Sequence, residues 1–168
     1  CSSDLVSVKG KSSAVQLHAR MRRGGQGTIF ESIEATLPVK TLATGMNVRD
    51  EHMRKYVFTS PDGRQPDLRF ESSQVACPGL EPGREAACTV SGTLAIRGVP
   101  RSFSMVLKIK EDSGGTFRAA GDGAVKLSDY GIEQPSQFGV RTANEVRLHL
   151  DFVARRHLAA SPAEGGRP

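Results

Sequence analysis

Tryptophan is absent from this chain, and aromatic residues make up only 5% of it. No broad aromatic platform is therefore expected, and no aromatic interleaving supports stacking on bases. No apolar run is long enough to cross a bilayer as a helix. No signal peptide stands in this numbering, whether removed by processing or left off the sequence. Catalytic signatures are missing too: there is no G-x-S-x-G, no H-E-x-x-H and no phosphate-binding loop. His18 and His149 fall on polar faces of the first and last strand-like runs and would approach if a barrel closed, but they lack a third ligand. Asp50 and Glu51 are adjacent and so do not share a helix face as an acid/base pair would. The expectation is a protein without enzymatic activity, metal or cofactor.

Cysteine is scarce, with three residues. Cys77 and Cys88 bracket the turn-rich insert PGLEPGREAA between two strand-like runs, and a bridge there would close an exposed hairpin loop. Such a bridge is worth about 2–4 kcal/mol and fits an oxidising compartment, so an exported protein is expected. Zinc is excluded by the lack of a companion His or Cys pair at suitable spacing. Cys1, followed by Ser-Ser, resembles the start of a processed bacterial lipoprotein and is the candidate lipid anchor.

What the chain does contain is 18 Gly and nine Pro spread among short alternating segments, the punctuation of an all-β domain. Its 168 residues suit one core. A tether over 1–7, a domain over 8–155 and a flexible tail over 156–168 are expected. The net charge of +5 reads as a solvated basic surface rather than a nucleic-acid site. Attraction to an anionic membrane surface or lipid headgroup stays open.

Period-two alternation marks Ala14–Met21 and Thr28–Val39. Leu68 to Val75, Val90–Ile96, Phe103–Ile109, Phe117–Leu127 and Val146–Phe152 follow the same rule. Gly98-Val99-Pro100 is expected to turn the tightest hairpin. The stretch Ser32–Phe58 breaks this pattern, for a half-apolar strand runs into a short charged helix. Asn47 is placed as its cap, and Met46, Met53 and Val57 on its apolar face. The expected fold is all-β: an antiparallel barrel of about eight strands, one end capped by that helix.

The runs TGMNVRDEHMRKYVF, PDLRFESSQV, VSGTLAIRGVPRSFSMVL and KLSDYGI, in this order, resemble the YceI-like family of bacterial lipid-binding proteins over roughly Val8 to Ala154. The resemblance implies a lipocalin-like barrel holding an isoprenoid or fatty chain. Leu127 stands where the family commonly has Arg, and the first strand is shorter and less aromatic. Arg49 and Asp50, at the family's RD, are expected to fasten the helix to the barrel.

The inward faces then supply the candidate ligand wall: Val15, Leu17, Ile33, Leu37, Leu68, Phe70, Leu94, Ile96, Phe103, Met105, Leu107, Phe117, Leu148 and Leu150, with Met53 and Val57 from the helix. Alternation alone does not separate a hollow barrel from a filled one. Gly92, Ala119, Gly121 and Gly123 favour a cavity, because small inward residues leave volume. Arg49, Arg54 and Lys55 are the headgroup candidates. The expected partner is a long-chain lipid, isoprenoid, quinone or fatty acid. The alternative is a surface-anchored module with a filled barrel that binds a protein or a second copy of itself.

Overall fold

The computed structural model describes residues 9–134, 136–137 and 140–156. Cys1, the 1–7 tether and the tail beyond Arg156 lie outside the described residues. The alternating runs become β1 (Gln16–Gly24), β2 (Gly27–Leu37), β3 (Leu68–Ala76), β4 (Glu85–Ile96), β5 (Val99–Asp112) and β6 (Thr116–Lys126). After a ribbon of two-residue strands, β7 (Ser136–Gln137) and β8 (Val140–Arg141), comes the long β9 (Glu145–Arg155). Seven strands form one antiparallel sheet ordered β1-β2-β3-β4-β5-β6-β9, curled into a half-barrel. Helix α1 (Asn47–Met53) continues through a π turn over Arg54–Phe58 and crosses one end.

Two bulges set which residues face inward. Arg20 pairs with Ser32 but Met21 pairs with Phe30, which leaves Glu31 as an extra residue in β2. Because one residue reverses the facing of a strand, Phe30 and Ile33 are both buried although three apart. In β3, Ser72 pairs with Gly92 and Gln74 with Ser91, so Ser73 is extra and the inner face passes on to Val75.

Two apolar clusters line the concave side. One contains Phe30, Ile33, Val90, Met105, Leu107, Ile109 and Phe117, and the other, below the helix, contains Leu94, Ile96, Val125, Leu127, Tyr130 and Ile132. Phe70 and Phe103, which touch both clusters, meet edge to face with ring centres 6.0 Å apart.

Several sequence expectations need correction. The strand β2 stops at Leu37, because Pro38 leads into a 3-10 turn in which Val39 is buried. Leu127 likewise leaves β6 for a 3-10 turn ending at the buried Tyr130. Arg97 and Gly98, with φ of 48° and 81°, make the β4–β5 turn, and Val99 and Pro100 already belong to β5. Pro100 is tolerated there because β6 pairs with β5 only from Val106 onward, which leaves β5 an edge at this point. Met46, not Asn47, occupies the N-cap of α1 and makes no side-chain cap bond.

The reading of the small inward residues also fails. A Cβ on Gly92 would lie 2.1 Å from the Glu71 carbonyl oxygen, one on Gly121 2.4 Å from that of Val106, and one on Gly123 2.9 Å from the Phe103 ring. These glycines admit a close neighbour and do not leave empty space. The first and last strands do not bring their histidines together either. His18 lies on β1 at one sheet edge, whereas His149 of β9 is 2.7 Å from the Asp122 carboxylate on β6.

Candidate functional site

The candidate wall residues fall into three groups. Ile33, Leu94, Ile96, Met105, Leu107 and Phe117 are buried, each at most 7% exposed, and pack on one another. Leu17, Leu37, Leu68, Phe70, Phe103, Leu148 and Leu150 keep part of their surface open although all but Leu37 pack against the clusters. Val15 is exposed and precedes β1, so it does not belong to the wall. The half-buried group runs along β1, β2, β3, β5 and β9, and β1 and β9 are the two edges of the sheet. Among the described residues no ladder joins those edges. The concave face thus carries an apolar strip whose surface is not consumed by its own neighbours.

At the helix end, the connection from β2 to β3 forms the lid. Val57 and Phe58 pack on the cluster around Leu94, Ile96 and Tyr130, and Met53 is half-buried. Met46, placed on the apolar face by spacing, is instead 59% exposed, because it precedes the first helical turn. Phe58 was hidden from the sequence reading because it ends the helix in a π turn, which shifts the face it presents.

Polar side chains tie this lid to itself. The Asp50 carboxylate accepts the Thr44 backbone N–H at 2.6 Å and the Thr44 hydroxyl at 2.5 Å. Those bonds hold its carboxyl below the usual range, aided by Arg54 and Arg49. Arg49 donates from Nε to Thr44 Oγ1 at 2.9 Å and from Nη2 to the Thr44 carbonyl at 2.8 Å. Arg54 donates to the Asp50 carbonyl at 3.1 Å. The Arg49-Asp50 pair therefore fastens α1 to the preceding turn and not, as expected, to the barrel. Two headgroup candidates, Arg49 and Arg54, are engaged by the lid's own backbone; Lys55 is exposed, its Nζ 5.4 Å from the Tyr56 ring centre. Beside the lid, Arg101 donates to the Asp129 carbonyl at 2.6 Å and Tyr130 is buried. Burial first, then Asp129, pushes the Tyr130 phenol up. A shallow cleft of about 180 Å³ opens there between Phe103, Lys126 and Glu145.

The opposite end is closed by residues that spacing did not single out. Cys77 and Cys88 form the expected disulfide, with Cα atoms 4.3 Å apart. The loop it closes is exposed at Pro78 and over Glu81–Glu85, as expected, but it is pinned into the fold at Leu80. Cys88 and Leu80 are fully buried, and Leu80 exchanges backbone hydrogen bonds of 2.9 and 3.0 Å with Thr28. A Cβ on Gly79 would lie 1.9 Å from the Gln26 carbonyl oxygen, so only glycine admits this approach. Nearby, the Thr28 hydroxyl donates to the buried Glu111 carboxylate at 3.0 Å, and Arg156 Nη2 stands 3.2 Å from Thr28 Oγ1 and 3.7 Å from Glu111. Arg156, assigned to the tail by its lack of periodicity, thus links the end of β9 to the start of β2. A cleft of about 340 Å³ lies outside this contact.

A model of the YceI-like domain matches residues 5–154. The chain belongs to the YceI-like family. A Campylobacter jejuni YCEI protein superposes with a TM-score of 0.70 at 19% identity, covering 92% of this chain and 88% of that one. Burkholderia cenocepacia BcnA gives 0.66 at 17%, with 86% of each chain covered. A polyisoprenoid binding domain from Saccharophagus degradans, implicated in plant cell wall breakdown, gives 0.52 at 18%, covering 73% of this chain and 79% of that one. No curated protein matches the sequence. At these identities the structures share the YceI lipocalin-like fold, and the lid and disulfide-closed loop are features read from this YceI-like chain itself.

Proposed function

We propose that this YceI-like protein binds and sequesters or carries a long-chain lipid, of isoprenoid, quinone or fatty-acid type, without performing chemistry on it. The strip of half-buried inward side chains, among them Leu17, Phe70, Phe103, Leu148 and Leu150, carries the reading. An extended hydrocarbon laid on this strip would leave water at about 0.8 kcal/mol per buried CH2, with no polar contact required. The polyisoprenoid binding domain among its structural neighbours supports the same ligand class. The Cys77–Cys88 bridge supports export to an oxidising compartment, where lipidation of Cys1 would add a membrane tether.

The rival is a protein-interaction module with a filled barrel, favoured by the tight packing of Met105, Leu107 and Phe117. Mass spectrometry of an organic extract of the purified native protein decides between them. We expect a long-chain lipid in the extract. Leu150→Trp, at a half-buried inward site, should lower its amount at least several-fold while the thermal transition stays in place. An extract free of lipid, with Leu150→Trp instead overpacked by about 1–3 kcal/mol, supports the filled barrel.

A further inference from the structure

Three of the six large apolar side chains left exposed among the described residues stand on the lid: Met46 at 59%, Val48 at 65% and Tyr56 at 54%. The other three, Val15, Val106 and Val153, are scattered over separate strands and the chain's start. Val48, His52 and Tyr56 recur every four residues, so they form one stripe on the side of the helix opposite Asp50 and Val57. The His52 and Tyr56 rings meet at 5.8 Å, which confirms the alignment. Burial is asymmetric in the same sense, for Asp50 is buried and Met53 and Val57 half-buried, while the stripe is open.

Lys55 borders this stripe, and the lid as a whole is basic: Lys40 and Lys55 are exposed and Arg49 and Arg54 half-exposed, against one exposed acid, Glu51. Asp50, the other acid, is already committed to Thr44. A tyrosine with Lys55 over its ring, two turns from an exposed valine on the same face of a basic lid, is the composition of a helix face that lies in a lipid interface. The lid is also the segment whose hydrogen bonds are mostly internal, so it meets an outside surface without unpairing a strand.

We infer that the Val48–His52–Tyr56 face docks on an anionic lipid bilayer, which sets the lid end of the half-barrel against the surface that holds the cargo. The inference builds on the lipid-binding reading, but its test has a separate readout. The full 168-residue chain, carrying Cys1→Ser so that no attached acyl group contributes, is floated with phosphatidylcholine vesicles with and without phosphatidylglycerol. The chain should float with the anionic vesicles, less with neutral ones, and less again in high salt. Val48→Ser with Tyr56→Ser should lower partitioning at least about tenfold. Lys55→Glu should lower it roughly fivefold or more on anionic vesicles only. Val106→Ser, on another exposed face, should change nothing. Circular dichroism verifies that each variant is folded, and an organic extract of each is assayed for lipid. Lipid in the extract without flotation overturns the docking face and leaves lipid binding standing. Flotation unchanged by the double variant also overturns it, as does light scattering that shows this face joining two copies of the chain.

Discussion

Leu80 makes the sharpest test of how the half-barrel is closed. It belongs to a loop, yet its side chain is fully buried among Phe30, Val90 and Ile109, and its backbone pairs with Thr28. Leu80→Ala removes three carbons from that cluster. At about 0.8 kcal/mol each plus the cavity left behind, the cost is about 3–4 kcal/mol. For a chain of this size that lowers the melting temperature by about 6–16 °C. Removing the bridge with Cys77→Ser and Cys88→Ser, which are 11 residues apart, should cost about 3 kcal/mol by loop-closure entropy. The two costs should not add. Once the loop is free, Leu80 leaves the cluster in part, and its later truncation removes less. Urea unfolding of the two parents and the combined variant, read by circular dichroism, should show a shortfall of about 1 kcal/mol or more. Strict additivity, or a Leu80→Ala cost below about 1 kcal/mol, would show that the loop merely covers the barrel end.

The same end offers a second test. Glu111→Ala should cost about 2–3 kcal/mol in urea unfolding, below the usual range for a broken buried pair because Arg156 keeps some access to water. A cost equal to that of an exposed surface change would remove Arg156 as the link from β9 to β2. At the lid, Asp50 is depressed, so its contribution is full above about pH 4 and is lost as pH falls through the lower folded value. The protection of the Thr44 and α1 amides, relative to their intrinsic exchange rates, should therefore fall in acid more than that of β4, and in Asp50→Asn it should be low at every pH. An acid response that survives in Asp50→Asn would assign it to another group.

The sheet was legible because each strand buries one face, so Leu17, Leu94, Leu107 and Leu148 alternate in the sequence as they do in space. The bulges were not legible. Nothing local marks Glu31 or Ser73 as the residue left out of the ladder, because that choice is made by the partner strand. Phe30 was lost for this reason, since strict alternation from Ile33 turns it outward. Tyr130 and Ile132 lie in an irregular segment with no period to read, and their burial comes from the cluster they meet across the fold. The Thr28–Glu111–Arg156 contact joins residues 83 and 128 positions apart through polar atoms, a pairing that hydrophobic periodicity does not register. The glycines misled for a related cause: lacking a side chain is the same whether the space is empty or filled by a neighbour, and only the neighbour decides.

The two ends differ in how they are held, and that difference bears on where a ligand enters. At the disulfide end the fastenings run between distant elements: the Cys77–Cys88 loop to β2, β2 to Glu111, and Glu111 to the end of β9. Opening it would unpair a backbone bridge and strand a buried carboxylate, both costly. At the lid end the bonds of Thr44, Arg49, Asp50, Arg54 and Thr59 run within the β2–β3 connection, and the bridge from Ala43 to Lys11 and the Thr41–Ser12 bond join it to the segment ahead of β1 rather than to the sheet. What binds the helix to the barrel wall is the apolar seat of Val57 and Phe58. A lipid tail can replace that seat with contacts of the same kind, whereas no hydrocarbon can replace the Thr28 and Arg156 bonds to Glu111. Opening at the lid is therefore the exchange that lipid itself can compensate, and the basic, apolar outer face of the same helix is where a bilayer would meet it.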